Sequence, residues 1–313
     1  MSSRRMFLHA AGLLSGGVFL VRYAPGGLLE AFQGNSPDAM RTQIGAAPIE
    51  TTKLADRLTM FSGPGGNVVV LSGPAGKIVV DGFVKPAWPR LKAALDALDR
   101  SPIQSMIDTH WHFDHADNNA NFRAAGAGVI AHENTAKRLR EPHDLLGMHF
   151  DPAPSAALPT QTFAAGLTLN AKDEQIHLTH VAPAHTDTDV FVLFPKANVL
   201  HMGDVFFNGT YPFIDVSTGG NVNGMIAGVQ TAVKIADRRT KIVPGHGPLG
   251  QLTSLEAYGQ MLTTVRDRVG KLKAAGKSLA DVQAAKPSSE FDEAWGKGKL
   301  GPSDFVALVY NTL

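Results

Sequence analysis

The sequence predicts an α/β chain built as two facing sheets with helices on their outer sides. Short β-branched runs bounded by glycine and proline recur in both halves of the chain, and segments with helical spacing of apolar residues separate them. The chain has 313 residues, within reach of one large core or two fused layers. In the first half, Leu58–Phe61, Asn67–Leu71 and Lys77–Asp81 read as strands, punctuated by Gly63-Pro64-Gly65-Gly66 and Gly73-Pro74-Ala75-Gly76. Pro86–Leu98 reads as a helix, with Leu91, Leu95 and Leu98 on one face. A strand over Ile103–Ile107 follows, then a helix over Asp114–Arg123 whose acids sit near its positive end. Gly128–Ala131 is a further strand and Asn134–Arg140 a helix. After a proline-rich insertion, Pro142–Pro159, strands resume at Leu167–Leu169, Gln175–Val181, Phe191–Phe194 and Val199–Leu200. A helix over Met225–Asp237 and a strand over Thr240–Val243 complete the second half. Leu252–Ala275 then places Leu255, Tyr258, Leu262, Val265, Val269 and Leu272 at spacings of three and four, an amphipathic helix. Two shorter helices, Leu279–Ala285 and Asp304–Leu313, close the chain.

The N-terminus is a different kind of segment. Ser3-Arg4-Arg5-Met6-Phe7-Leu8 pairs two arginines ahead of an apolar stretch, Phe7–Val21, interrupted by Gly12, Gly16 and Gly17. That stretch is shorter than the roughly 20 residues of a membrane span and suits the core of an export signal of the twin-arginine type. Cleavage is expected between about Ala24 and Gly34, which places the mature protein in the periplasm with no stable membrane span. Without residues 1–33 the net charge moves from +1 to about −1, which gives no basic stripe for nucleic acid. There is no cysteine, so neither disulfides nor thiolate chemistry are available.

Chemistry concentrates in Thr109-His110-Trp111-His112-Phe113-Asp114-His115. His110 and His112, two apart on an extended segment, point the same way and can converge on one ion. Asp114 and His115 are offset enough to reach a second. Zinc accepts imidazole nitrogen and carboxylate oxygen together. Three further candidates, His185, Asp204 and His246, each follow a short apolar run beside glycine or proline, where a loop can be aimed rigidly.

This order of residues, His-x-His-x-Asp-His and then single His, Asp and His at strand ends, resembles the metallo-β-lactamase superfamily of dinuclear metallohydrolases. The likeness covers roughly residues 52–313, and the arrangement from His246 to Tyr310 resembles a periplasmic branch described as cyclase-like or quinoprotein-relay metallohydrolases. It implies the αββα sandwich; with the signal read over 1–33, the chain divides into a linker at 34–50, a catalytic domain at 51–250 and C-terminal helices at 251–313 on the same domain. It also implies two zinc ions, with iron or a mixed pair as the alternative. His110, His112 and His185 would hold the first ion, Asp114, His115 and His246 the second, and Asp204 would bridge them. The implied reaction is attack of a metal-bridged hydroxide on the carbonyl of a small-molecule ester, thioester, lactone or amide, with Asp114 orienting the nucleophile or moving its proton.

One departure is informative. In the antibiotic-destroying branches the position of Asp204 is cysteine or serine; a bridging carboxylate is typical of thioesterases, lactonases and phosphodiesterases. This leaves room only for weak β-lactamase activity. A lactonase would want a tyrosine near Phe207, and Tyr211 stands at a different offset. The substrate wall is expected from Phe61, Trp111, Met148, His149 and Phe207, with the insertion lying over the pocket. His132 and His201 read as structural histidines. Two other classes remain open from sequence: a mononuclear iron oxidoreductase of sulfur compounds on the same fold, and a binding module that has lost its chemistry.

Overall fold

The computed structural model describes residues 36–313 except 173; the export signal expected over 1–33 lies outside the described residues. The first sheet has seven strands: β1 (Glu50–Lys53), β2 (Leu58–Gly63), β3 (Gly66–Leu71), β4 (Lys77–Val80), β5 (Ile103–Ile107), β6 (Gly128–His132) and, beyond a two-stranded hairpin of β7 (His143–Leu145) and β8 (Met148–Phe150), β9 (Gln161–Phe163). The second has five: β10 (Gly166–Ala171), β11 (Glu174–His180), β12 (Val190–Phe194), β13 (Val199–His201) and β14 (Lys241–Val243). Both begin as antiparallel meanders and end in parallel pairs, β4 to β5, β6 and β9 in one and β13 to β14 in the other.

Strand alternation divides the apolar residues between two faces. Met60, Val69, Leu71 and Val80 face the second sheet and meet Ile176, Leu178, Val192 and Phe194 there. Their neighbours Phe61, Val68, Val70 and Val79 face outward onto Leu91 and Leu95 of helix Trp88–Leu98. Burial on both faces explains why these runs are apolar throughout instead of alternating. The second sheet's outer face is covered by helices Val222–Ile235, Leu252–Ala274 and Pro302–Asn311, through Met225, Val229, Leu262, Val265 and Phe305. The result is the α/β sandwich expected, and the C-terminal helices are part of it.

Two local expectations change. The helix expected over 114–123 is two short ones, Phe113–Ala116 and Asn119–Ala124. The break at Asn118 lets its side-chain amide donate to the carbonyls of Gly82, Phe83 and Val84, tying this loop to the end of β4. Residues 34–50, expected as a linker, contain helix Pro37–Gly45. Ser36 caps it by accepting from the Ala39 N–H, and Pro37 pre-sets its first turn.

Candidate metal centre

All seven expected ligands converge at one edge of the sandwich. His110 and His112 lie on the segment leaving β5, and His112 leads into the short helix that presents Asp114 and His115. His185 sits in the loop between β11 and β12, Asp204 in the turn Gly203–Val205 after β13, and His246 in the loop after β14. Every one follows the C-terminal end of a strand, where loops can be aimed without disturbing the sheets.

Three overlapping groups have ligand atoms within 4.8 Å of one another: His110, His112 and His185; His110, His115 and Asp204; Asp114, His115 and His246. Asp204 is the focus. Its Oδ1 is 3.2 Å from His115 Nε2, and its Oδ2 lies 3.2 Å from His246 Nε2, 3.5 Å from His185 Nε2 and 3.9 Å from His110 Nε2. Asp114 Oδ2 is 3.4 Å from His246 Nε2 and 3.8 Å from His115 Nε2.

The donors fit a metal pair because several imidazoles are anchored at one nitrogen and leave the other for an ion. His115 Nδ1 donates to Asp81 Oδ2 at 2.8 Å, His112 Nε2 to Asp215 Oδ2 at 3.1 Å and His185 Nδ1 to the Phe213 carbonyl at 2.8 Å. The Thr109 hydroxyl gives its one proton to Asp81 Oδ2, so it accepts from His110 Nδ1 at 3.1 Å. Such outer partners fix tautomer and ring direction. On the inner side, His110 Nε2, His115 Nε2 and Asp204 Oδ1 are buried without a hydrogen-bond partner, the state expected of atoms that coordinate a cation.

Electrostatics at the site follow the same layout. Burial alone would raise the proton affinity of Asp204, yet His246, His115 and His110 hold its carboxyl well below the ordinary range. Burial opposes a charge on His246 too, but Asp204 and Asp114 push it up to about 9. His185 goes the other way: burial outweighs the pull of Asp204 and lowers it to about 4.

A cavity of about 360 Å³ opens over these residues, with His112, Asp114, Asp204 and His246 on its inner surface. Of the wall residues expected, Phe207 lines it, stacked on His246 with ring centroids 5.2 Å apart. The other four lie elsewhere. Phe61 faces the opposite side of β2, into the core under helix Trp88–Leu98. Trp111 and Met148 are buried together in a small cluster. His149 alternates outward on β8 and pairs with Asp144 and Asp151 at the surface. The wall is instead Met40, Ile44, Leu145, Leu146, Phe213 and Leu300, with Lys299 the cationic residue among those described there. The insertion does lie over the pocket, through Leu145 and Leu146. Tyr211 also lines it, but its hydroxyl donates to Asp292 at 2.7 Å, away from the ligands.

Sequence reasoning assigned no role to Asp81 or Asp215. Asp81 carried one usable signal, an acid at the end of an apolar strand beside glycine, the setting that marked Asp204. Asp215 meets His112 across 103 positions, and no local pattern announces it.

A family model, the metallo-beta-lactamase superfamily, matches residues 62–246, the span that contains all seven candidate ligands. The chain belongs to the metallo-beta-lactamase superfamily. Its members are mostly hydrolases. Among solved structures, a metallo-beta-lactamase from Pontibacter korlensis is similar over 69% of this chain and 99% of its own length, at 19% identity and a TM-score of 0.58. The metallo-beta-lactamase IND-7 covers 70% and 98%, at 20% identity and a TM-score of 0.58. Among curated proteins, the alpha subunit of 2,4-dinitroanisole O-demethylase from Nocardioides sp. is 29% identical over 44% of this chain and 40% of its own. An atrochrysone carboxyl ACP thioesterase from Aspergillus fumigatus is 27% identical over 58% of this chain and 51% of its own. The chain thus spans about half the length or less of these curated relatives.

Proposed function

We propose that this protein is a dinuclear zinc hydrolase acting on the carbonyl of an ester, thioester, lactone or amide. The observation that carries the reading is Asp204, a single carboxylate set between two groups of imidazoles. His110, His112 and His185 would hold one ion, Asp114, His115 and His246 the other, and Asp204 both. Bound there, zinc supplies Lewis acidity that activates water near neutral pH and polarises the carbonyl under attack.

The chain's own residues do the rest. Asp81, Asp215 and the Phe213 carbonyl hold three of the imidazoles in one orientation, so little reorganisation is needed when charge develops. Asp114 reaches the cavity with 16% of its side chain exposed, which supports a role for its carboxylate in holding or moving a proton at the reacting face. Apolar walls limit water around the substrate and strengthen each electrostatic contact. The aspartate at position 204, where a soft thiolate would suit a different branch, supports carbonyl substrates beyond β-lactams, and the relative named a thioesterase supports the thioester member of the range. A one-ion oxidoreductase would leave Asp114 and His246, both turned toward the same focus, without work.

The test is elemental analysis of zinc-reconstituted protein combined with a panel of p-nitrophenyl esters, thioesters, lactones, nitrocefin and bis-p-nitrophenyl phosphate. Two zinc ions per chain and chelator-sensitive turnover of carbonyl substrates are expected. A single ion, or turnover confined to the phosphodiester, overturns the reading.

A further inference from the structure

Helix Pro37–Gly45 has nine residues, too few to stand without tertiary support. Arg90 donates to the carbonyls of Gly45, Ala46 and Ala47 at its C-terminal end, and Arg41 fastens its middle. The guanidinium grips Asp117 with a two-pronged contact, Nε to Oδ2 at 2.7 Å and Nη2 to Oδ1 at 2.9 Å, the strong planar form of this pairing. It also lies 5.7 Å from the ring centroid of Phe113 and 5.3 Å from that of Phe150, two rings stacked 5.4 Å apart. Phe113 stands between His112 and Asp114, so the helix is fastened to the loop that presents the metal-facing residues. The fastening turns Met40, only 2% exposed, and Ile44 into one wall of the cavity. Leu145, Leu146 and Leu300 add further apolar wall.

The origin of these walls differs from that of the chemistry. All seven ligands fall inside the span matched to the superfamily, 62–246, whereas Met40, Ile44 and Leu300 fall outside it. The matched span supplies the reacting centre and the flanking segments supply much of the surface a substrate must fit. A polar substituent against Met40 and Ile44 would lose its hydrogen bonds to water without replacement. An apolar one gains by every methylene it buries.

We propose that helix Pro37–Gly45 is the selectivity wall of this enzyme, that Met40 and Ile44 receive a bulky apolar acyl or aryl group of the substrate, and that Arg41 is the positioning residue that holds the wall in place. This deepens the carbonyl-hydrolase reading and rests on it for the reaction, but the wall itself can be tested by binding alone.

Calorimetry on the zinc-loaded full chain compares acetohydroxamate with octanohydroxamate, probes with the same metal-seeking head and different tails. The longer probe is expected to bind roughly a hundredfold tighter or more. Met40→Ala and Ile44→Ala each reduce that ratio by roughly fivefold to tenfold, and Arg41→Gln reduces it by a similar factor. Arg41→Lys, which keeps the charge and loses the fork, restores only part of it. Zinc content serves as the check on folding, and Ile44→Val, with a smaller fall in the ratio, stands in should the alanine variants not fold. A wild-type ratio near one, or a ratio unchanged in the variants, overturns the proposal. Hydrolysis of p-nitrophenyl hexanoate is measured in parallel. Absence of turnover of this ester and of the whole ester, thioester and lactone panel, with tail selectivity intact, would sink the carbonyl-hydrolase reading while leaving the wall assigned.

Discussion

At Asp204 one buried carboxylate faces four imidazole nitrogens between 3.2 and 3.9 Å away. Replacing it by alanine removes the group proposed to be common to both ion sites, so Asp204→Ala is expected to lower zinc occupancy and to reduce turnover by at least roughly 10²–10³-fold, the scale of one lost oxyanion donor. Asp114→Ala should cost at least as much, since it removes a ligand and the carboxylate that faces the cavity. His132→Ala is the contrast. His132 accepts from the Asn134 N–H at a helix start, donates to the Ala164 carbonyl at 2.6 Å and stacks on His180 at 3.7 Å. Its loss should cost about 1–2 kcal/mol of stability with zinc content intact. Near-native turnover of Asp204→Ala with two ions bound would refute the bridging assignment. The pH behaviour follows from His246. Its proton affinity is raised to about 9 from an ordinary value near 6.5, so the metal-free fold gains stability that is fully present below pH 6.5 and lost as pH rises through 9. Zinc must displace that proton, so zinc affinity moves oppositely and climbs over the same window. Thermal melts of chelated protein and chelator competition at pH 6.5 and 9 check both signs; parallel trends would contradict the argument. The seven ligands were legible because four sit in one short motif and three follow strand-like runs. The wall was largely not legible, because alternation decides which face a side chain takes. Met148 and His149 are adjacent, yet one is buried and the other points to water.

The elements meet at two glycine-bearing turns. Gly66, at a φ of +126°, begins β3, and a side chain there would lie 2.8 Å from the Gly245 carbonyl. Gly245 in turn sits so close to Asp204 Oδ1 that a side chain would displace the carboxylate. Asn67 stitches the two together. Its N–H donates to the Gly245 carbonyl at 2.8 Å, and its amide donates to Pro244 and Gly247 carbonyls, both at 2.9 Å. A hairpin of the first sheet therefore holds the His246 loop of the second. Asn67→Ala leaves these carbonyls without their side-chain donor and should cost about 2–4 kcal/mol, measured by denaturant unfolding, with one of the two ions lost preferentially because His246 is loosened. Equal loss of both ions would point to general destabilisation instead. The strands and long helices were readable from period, and the punctuating Gly63–Gly66 turn as well. This stitch was not, because Asn67 reaches partners 177 and 180 positions away. The helix at Pro37–Gly45 was missed for a related reason: its apolar pattern is short, and the contacts that hold it are distant in sequence, an ion pair to Asp117 76 positions away and the Arg90 bonds to its C-terminal carbonyls.

On the scale of the whole molecule, the metal-facing residues come from four separate segments spread from residue 110 to 246. They meet only once both sheets are paired and packed, so the proposed ions would be loaded onto a folded chain. That gives a physical reason for the export route we propose from Arg4 and Arg5, since a twin-arginine signal suits a protein that completes its metal site before leaving the cytoplasm. Among the described residues no helix is long and apolar enough to cross a membrane. A fusion of residues 1–40 to a reporter should reach the periplasm with both arginines intact and remain inside when both are changed to lysine. Lysine keeps the charge and removes only the guanidinium fork, so the pair isolates the signal from net positive charge. Equal export of the lysine variant would remove the claim and leave an ordinary secretory signal in its place, with zinc then acquired outside.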